Sequence, residues 1–287
     1  MVRVLIAGAE GGLGRAWVRK LSTPGRSLGP AFPGPVEVFP CSRSKLDVSA
    51  LPDAPRVFEE VSPDVVLNCA GRTDLEFCQT SPWEAFRVNR DGADHIAKAC
   101  AKRGTLPVYF STDLIFDGGK LAPYREEDPP NPLNAYGESK LAGELATASG
   151  SKRHLIVRSG CIYGHPGRDF LRPLFGRAPF VVNDTQVGQA TWVEDFLEGV
   201  LFLLRGGKTG RWHVASRGAV TQAQVVERAR ELNGGGGPQV RGRGPTELPR
   251  VPGSSVLDIT KLVEAGHRMR GWEAGLEAYF GSLGDDL

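Results

Sequence analysis

Residues 2–14 read VRVLIAGAEGGLG and join an apolar run to a glycine-rich turn. The run at 2–6 is rich in β-branched residues, which predicts a short β-strand. Glycines follow as Gly8, Gly11 and Gly14, and a helical pattern begins there. A strand, a tight turn and a helix in this order let the backbone approach a pyrophosphate, which free N–H groups at the helix N-terminus can bind. The turn therefore predicts a dinucleotide site, with a glycine turn that binds nothing as the alternative.

The same alternation of strand and helix continues along the first half of the chain. Apolar runs predict strands at residues 36–39, 65–68, 107–110 and 155–157, with a Pro- and Gly-rich loop at 23–35. Helical patterns between them end at 57–61 and span 83–103 and 134–148. Short buried strands that alternate with helices predict an α/β protein: an NAD(P)-binding Rossmann fold with a doubly wound parallel sheet.

The composition excludes several classes of protein. The chain has 287 residues, 40% of them hydrophobic, and a formal net charge of +2. It is long enough to bury a core, and it has no basic excess for nucleic acid. No apolar run approaches the roughly 18–20 residues that span a bilayer, so no membrane partner is expected. Five dispersed cysteines without a C-x-x-C pair predict a reduced, cytoplasmic protein without disulfides or a metal site.

The residues after the second predicted strand bear on the cofactor ribose. Residues 40–44, PCSRS, contain Arg43 and no acid. An acid would favour a 2′-hydroxyl and an arginine a 2′-phosphate, so we expect NADPH, with NADH as the alternative. The alternative role of Arg43 is a solvated loop charge. Asp47, followed by Val48, is expected to cap either the adenine amino group or a helix N-terminus. The small residues at 68–71 are expected to pass close to the cofactor or to pack a strand on a helix.

Two short patterns predict proton-transfer chemistry. Tyr136 and Lys140 are one helical turn apart on one face of the predicted helix 134–148. A phenol has an ordinary pKa of about 10, so a neighbouring ammonium group must lower it before it can transfer protons at neutral pH. Thr112 follows the fourth predicted strand, where open α/β sheets bind ligands, and its hydroxyl can donate to a carbonyl. A surface helix and ordinary turn capping are the respective alternatives.

Residues 109–144 read YFSTDLIFDGGKLAPYREEDPPNPLNAYGESKLAGE. This stretch resembles the dTDP-4-dehydrorhamnose reductase family of extended short-chain dehydrogenases/reductases. The family pattern is STD-Y-V-F-D-G, then P-Y-x-E-x-D, then P-x-N-x-Y-G-x-x-K-x-x-G-E. Residues 88–100, 156–170 and 181–191 also match the family, and 251–262 match more weakly. The glycine spacing at 8–14 is the form typical of short-chain dehydrogenases/reductases.

The resemblance implies an activity and a set of site residues. The activity is NADPH-dependent reduction of the C4 keto group of dTDP-4-dehydro-L-rhamnose, or of a close nucleotide 4-keto-6-deoxysugar. The implied catalytic residues are Thr112, Tyr136 and Lys140, and Asp113 would contact the sugar. Leu114 and Cys161 stand where the family usually has a tyrosine and a tryptophan of the sugar pocket. The implied cofactor-binding residues are Gly8, Gly11, Gly12, Leu13, Asp47, Val48, Cys69, Ala70, Gly71 and Thr73, to which the motifs themselves add Gly14, Arg43, Tyr136 and Lys140.

The resemblance also implies a division of the chain and leaves two alternative functions. Residues 1–159 and 183–215 are expected to form the dinucleotide-binding domain. Residues 160–182 and 216–287 are expected to form a smaller lobe that binds the substrate. The alternatives are a reductase or epimerase of another sugar nucleotide, and a non-catalytic subunit similar to the regulatory subunit of methionine adenosyltransferase. Homodimers are common in the family, so we also expect a homodimer.

Overall fold

A computed structural model describes residues 1–166, 169–175, 180–235, 240–243 and 249–283. The strands are β1 (Val2–Ala7), β2 (Val36–Cys41), β3 (Val65–Asn68), β4 (Leu106–Thr112), β5 (Leu155–Ser159), β6 (Cys161–Tyr163), β7 (Phe180–Asn183), β8 (Ala190–Trp192), β9 (Gly210–His213) and β10 (Val240–Arg243). The α-helices are α1 (Gly12–Leu21), α2 (Asp53–Val61), α3 (Leu75–Thr80), α4 (Pro82–Phe86), α5 (Gly92–Ala101), α6 (Ala135–Gly150), α7 (Val193–Arg205), α8 (Gln222–Leu232), α9 (Thr260–Glu264) and α10 (Trp272–Leu283).

The main sheet has six strands in the order β2-β1-β3-β4-β5-β9, and every pairing in it is parallel. This confirms the predicted α/β fold with a doubly wound parallel sheet. The order reverses between β1 and β3, so the carboxyl ends of these two strands form a topological switch point. Open α/β sheets bind ligands in the crevice at such a point.

Helices cover both faces of the sheet, which explains why its strands carry apolar residues at consecutive positions. Ile6 of β1 faces one layer, where it shares a buried cluster with Trp17 of α1 and Phe196 of α7. Its neighbour Leu5 faces the other layer, where it shares a cluster with Phe58 of α2. Successive side chains of a strand point to opposite faces, so a sheet covered on both sides needs apolar residues at consecutive positions. None of the described helices is long and apolar enough to cross a bilayer.

A second group of elements follows β5 and builds its own core. Strand β6 pairs with β8 and strand β7 pairs with β10, each as a separate parallel pair. Helices α8 and α10 pack around a cluster whose buried members include Tyr163, Leu171, Leu174, Val225 and Leu276. The division into 1–159 with 183–215 and 160–182 with 216–287 stays a prediction. Within the predicted connector 233–253, residues 236–239 and 244–248 lie outside the described residues.

The long helix expected at 83–103 is present as a continuous helical stretch over residues 82–101, but it contains a π-helical turn. Helix α4 and helix α5 are separated by one π-helical turn, Arg87–Asp91. Within this turn the Asn89 side chain accepts from the N–H of Arg72 at 2.8 Å and donates to its carbonyl at 2.9 Å. Hydrogen bonds to a distant loop thus accompany the wider turn, and local periodicity carries no sign of them.

Candidate active site

The glycine turn after β1 brings two backbone segments into close contact. Gly8 has a φ of +71°, and a Cβ atom there would lie 2.7 Å from the backbone nitrogen of Ala70. A Cβ atom on Gly14 would lie 2.2 Å from the carbonyl oxygen of Gly8. Helix α1 begins at Gly12, and its N-cap, Gly11, provides no side chain to bond the first N–H groups. The helix therefore points free donors at the space above the turn, an arrangement that binds phosphate.

A cavity of about 670 Å³ lies over this turn and reaches the ends of β3, β4 and β5. Its volume is in the range of small-molecule and cofactor sites. Gly14 is buried beneath the turn, against Gly8, and supports its shape. The predicted cofactor residues that line this cavity are Gly11, Gly12, Leu13, Cys69, Ala70, Gly71, Thr73, Tyr136 and Lys140.

A smaller cavity of about 210 Å³ adjoins the first one at the glycine turn. Arg43 pairs with Asp47 here, with 3.2 Å between Nε and the carboxylate. Burial raises the pKa of Asp47, but hydrogen bonds from Ser49 and Arg43 outweigh it and hold that pKa below its usual range. The helix N-cap alternative for Asp47 is wrong, because α2 begins only at Asp53. The predicted residues that line this cavity are Gly8, Gly11, Arg43, Asp47, Val48, Cys69, Ala70 and Gly71.

Thr112 and Tyr136 meet where β4 ends and α6 begins. The Asn134 side chain accepts from the N–H of Gly137 at 2.9 Å and so fixes the first turn of α6, which carries Tyr136. Burial raises the pKa of Tyr136 above its ordinary value, and a hydrogen bond with Thr112 lowers it only in part. The sequence predicts a lowered pKa for Tyr136, and this prediction is wrong because burial raises the pKa instead. Tyr136 is therefore a neutral phenol at neutral pH, the form that donates a proton.

Lys140 lies one turn further along α6 and extends towards β4. Its Nζ donates to the carbonyl oxygen of Phe110 at 2.5 Å and lies 4.3 Å from the centre of the Tyr109 ring. Burial lowers the pKa of Lys140 to about 8, while the charge of Glu144 raises it. The ammonium form therefore still predominates at pH 7.

A third cavity, of about 660 Å³, lies on the other side of Thr112 and Tyr136. The Asp113 carboxylate is buried beside it and accepts hydrogen bonds from Thr112 at 3.1 Å and from Ser255 at 2.5 Å. Burial raises the pKa of Asp113 to about 6 in spite of these hydrogen bonds. The predicted catalytic and sugar-pocket residues that line this cavity are Thr112, Asp113, Leu114, Tyr136 and Cys161.

The two large cavities share one wall. Thr73, Thr112, Tyr136, Gly160 and Ile162 line both of them. Lys140 lines only the cavity over the glycine turn, and Asp113 and Cys161 line only the third cavity. Tyr136 thus faces both cavities. The predicted cofactor-binding residue Lys140 lies on one side of it, and the predicted sugar-pocket residues Asp113 and Cys161 lie on the other.

Two further residues of these cavities were not predicted from the sequence. Nδ1 of His165 is buried without a hydrogen-bond partner and lies 2.3 Å from where a Cβ atom of Gly12 would stand. Gln222, the first residue of α8, lies with its side-chain nitrogen 3.7 Å from Sγ of Cys161. Both belong to segments after residue 160: His165 lies in the family-matching stretch 156–170, which assigned it no role, and no motif marks Gln222. Their approach depends on how those segments fold back against the sheet.

Comparison with known proteins identifies the family. Residues 2–284 match the family described as the RmlD substrate binding domain. A dTDP-4-dehydrorhamnose reductase of Mycobacterium tuberculosis is 32% identical over 96% of this chain and 91% of that protein. A dTDP-4-keto-6-deoxy-D-glucose reductase of Streptomyces niveus is 31% identical over 99% of this chain and 98% of that protein. The crystal structure of dTDP-4-dehydrorhamnose reductase from Bacillus anthracis in complex with NADP is similar with a TM-score of 0.87, at 27% identity over 98% of this chain and 99% of that chain.

The chain belongs to the RmlD family. The resemblance seen in the sequence is therefore confirmed, and so is membership of a family of NAD(P)-dependent oxidoreductases. The described residues of this RmlD family member contain no group of three or more His, Cys, Asp or Glu side chains able to hold a metal ion.

The cavity over the glycine turn of this RmlD family member fits a dinucleotide. Backbone atoms around Gly8 and Gly14 leave no room for a Cβ atom, so the turn can approach a ligand closely. The uncapped N–H groups of α1 and the unpartnered Nδ1 of His165 converge on the same space. A pyrophosphate would supply acceptors to these groups, and its charge suits the N-terminus of a helix.

Proposed function

We propose that this protein reduces the C4 keto group of dTDP-4-dehydro-L-rhamnose, giving dTDP-L-rhamnose at the expense of NADPH. The observation that carries the proposal is the wall that the two large cavities share. A hydride donor in one cavity and a ketone in the other would meet at Tyr136 and Thr112, which line both. Relatives named dTDP-4-dehydrorhamnose reductase, one of them in complex with NADP, support this assignment.

Tyr136 supplies the proton in this mechanism. A reduced nicotinamide held over the glycine turn would supply the hydride for C4, and the carbonyl oxygen needs one proton to become a hydroxyl. Tyr136 donates that proton from its phenol and is left as a phenolate, which solvent reprotonates. The raised pKa of Tyr136 keeps the phenol protonated until the oxygen becomes basic. Thr112 would turn the hydroxyl hydrogen that it donates to Asp113 towards the same oxygen and so orient it.

Lys140 supports the same step from the cofactor side. It lines the cavity over the glycine turn and not the third cavity, so its ammonium group would hold the ribose hydroxyls of the dinucleotide. Its positive charge also stabilises the Tyr136 phenolate that forms after proton transfer. The pKa of about 8 leaves Lys140 charged at pH 7, as both roles require.

A second candidate is a reductase for another nucleotide 4-keto-6-deoxysugar. Leu114 and Cys161 line the third cavity, and neither provides the strong hydrogen-bond donor or the broad ring that commonly holds a sugar. The relative from Streptomyces niveus is named for a different keto sugar at similar identity, which supports keeping this candidate. The smaller lobe, the homodimer and the cytoplasmic location remain predictions alongside it.

The mechanism is tested by replacing the phenolic oxygen of Tyr136. We expect Tyr136→Phe to lower kcat with dTDP-4-dehydro-L-rhamnose and NADPH by about 10²–10⁴-fold, the range for a lost general acid. Oxidation of NADPH followed at 340 nm under saturating substrate measures this. NADPH binding, followed by fluorescence, should change far less than kcat.

Tyr163→Phe is the matched control. The Tyr163 hydroxyl is buried and has no hydrogen-bond partner, so its removal should leave the rate near that of the wild type. If Tyr136→Phe oxidised NADPH as fast as wild type, the mechanism would be wrong.

A panel of dTDP- and UDP-linked 4-keto sugars in the same assay separates the two candidate substrates. Turnover of none of them, together with co-purification of a partner enzyme, would favour a non-catalytic subunit.

A further inference from the structure

The ammonium group of Lys140 lies over an aromatic ring that has no role in the mechanism proposed above. Its Nζ lies 4.3 Å from the centre of the Tyr109 ring, well within the roughly 6 Å at which a cation is attracted to an aromatic face. The same Nζ donates to the carbonyl oxygen of Phe110, the residue that follows Tyr109 on β4. Strand β4 therefore offers the ammonium group a backbone acceptor and a ring face side by side.

Tyr109 is itself fixed in place. It is 1% exposed, and its hydroxyl donates to the carbonyl oxygen of Asn89 at 3.1 Å and lies 3.4 Å from that of Lys140. Helix α6 makes room for this hydroxyl at Gly143, where a Cβ atom would lie 2.1 Å from the Tyr109 oxygen. The hydroxyl anchors the ring at one end, and the ring meets the ammonium group by its face.

The formal charges around Lys140 are few. Glu144 acts on it from the next turn of α6, and the thiols of Cys69, after β3, and Cys78, on α3, face it as well. The Glu144 carboxylate already accepts two hydrogen bonds from Arg158, at 2.9 Å and 2.7 Å. Burial raises the pKa of both thiols, so they are neutral near pH 7. Besides the charge of Glu144, the groups that support the buried cation by direct contact are the Tyr109 ring and the Phe110 carbonyl oxygen.

We propose that Tyr109 is a positioning residue for the reduction, and that its ring holds the charged ammonium group of Lys140 in place. This inference rests on the proposed function for the role of Lys140. The negative face of the ring favours the ammonium over the amine form, and the stabilisation is greatest where water is excluded. Tyr109 touches neither large cavity, so it acts through Lys140 and not on the reacting atoms.

The test is a direct titration of Lys140 in two Tyr109 variants. The chain has nine lysines, so ¹³Cε-lysine labelling gives a spectrum simple enough to assign, with Lys140→Met identifying the signal of interest. Tyr109→Phe keeps the ring and removes the hydroxyl, whereas Tyr109→Met keeps an apolar side chain and removes the ring. We expect the midpoint of Lys140 to fall by roughly 0.5–1.5 pH units in Tyr109→Met and to stay within about 0.3 units of wild type in Tyr109→Phe.

The pH profile of kcat/KM is a second measurement, and it would not change if the role of Tyr109 were merely structural. The alkaline limb should shift to lower pH in Tyr109→Met by the same amount as the Lys140 midpoint. An unchanged midpoint in Tyr109→Met, or an equal fall in both variants, overturns the inference. The inference and the proposed function fail separately: a lowered midpoint in a protein that reduces no keto sugar refutes only the function. An active enzyme in which the Lys140 midpoint is the same in Tyr109→Met as in wild type refutes only the role of Tyr109.

Discussion

Asp113 should make the protein less stable as the pH rises through 6, and Asp113→Asn should remove that loss. The carboxylate is 5% exposed and accepts hydrogen bonds from Thr112 and Ser255. Burial raises its pKa from the ordinary 3.8 to about 6. Between these values the folded chain binds a proton that the unfolded chain has released. Stability therefore falls with rising pH across this window, and the cost is present in full above pH 6.

The magnitude follows from the two pKa values. At about 1.4 kcal/mol per pKa unit, the difference between 3.8 and 6 corresponds to about 3 kcal/mol in total. About half of it, on the order of 1–2 kcal/mol, develops between pH 5 and pH 8, a range that avoids general acid unfolding. An asparagine has no such ionisation. Its altered hydrogen bonds contribute a constant that does not depend on pH, so the difference between variant and wild type isolates the ionisation.

Urea unfolding followed by tryptophan fluorescence at pH 5, 6, 7 and 8 measures this difference. We expect the stability of Asp113→Asn relative to wild type to increase by about 1–2 kcal/mol from pH 5 to pH 8. Asp117→Asn is the control, and its difference from wild type should stay constant from pH 5 to pH 8, because Asp117 is ionised in both the folded and the unfolded chain throughout this range. Hydrogen bonds from Gly119, Asn131 and Tyr124 hold the pKa of Asp117 below its usual range, so its ionised form stabilises the fold. A flat difference for Asp113→Asn would show that Asp113 ionises at an ordinary pH and would refute the reasoning.

Two further predictions concern the cofactor side of the site. Gly14→Ala should weaken NADPH binding at least about tenfold, since its Cβ atom would lie 2.2 Å from the Gly8 carbonyl oxygen and force the turn open. Gly281→Ala, where nothing lies within 4 Å, should bind NADPH as wild type does, and equal affinities in a fluorescence titration would count against the turn as the phosphate site. Arg43→Ala should reduce the preference for NADPH over NADH by roughly tenfold, the loss of one charged hydrogen bond to a 2′-phosphate. Unchanged dissociation constants for both cofactors would remove Arg43 from that role.

The sequence predicted those parts of the molecule in which local pattern and tertiary role coincide. The residues of β1 are apolar at consecutive positions because helices cover both faces, and the same burial makes the run visible in the sequence. The glycine turn is visible because Gly8 and Gly14 lie where a side chain cannot fit. Tyr136 and Lys140 are visible because one helical turn separates them.

The remaining features depend on contacts between distant segments. The π-helical turn at Arg87–Asp91 accompanies hydrogen bonds from Asn89 to Arg72, which no local periodicity encodes. His165 reaches the glycine turn from a segment beyond β6, and its position follows from how that segment folds back. The predicted direction of the Tyr136 pKa shift is wrong for a related reason. Sequence spacing revealed the neighbouring cation but gave no measure of how deeply the phenol is buried.

The buried groups of the site share one electrostatic pattern, and it suits a reduction. Tyr136 is kept protonated by burial, Asp113 is shifted towards its neutral form, and Lys140 is kept only just charged at neutral pH. Each shift disfavours charge in the resting site, and at neutral pH those of Asp113 and Lys140 are a cost to the fold, which the Asp113 prediction would measure. A ketone that accepts a hydride develops negative charge on oxygen at the wall where Thr112 and Tyr136 stand. At neutral pH Tyr136 still holds its proton and Lys140 is still cationic, so the site offers a proton and a positive charge as that negative charge develops. A site of this kind favours the transition state over the bound ketone, which is the condition for catalysis.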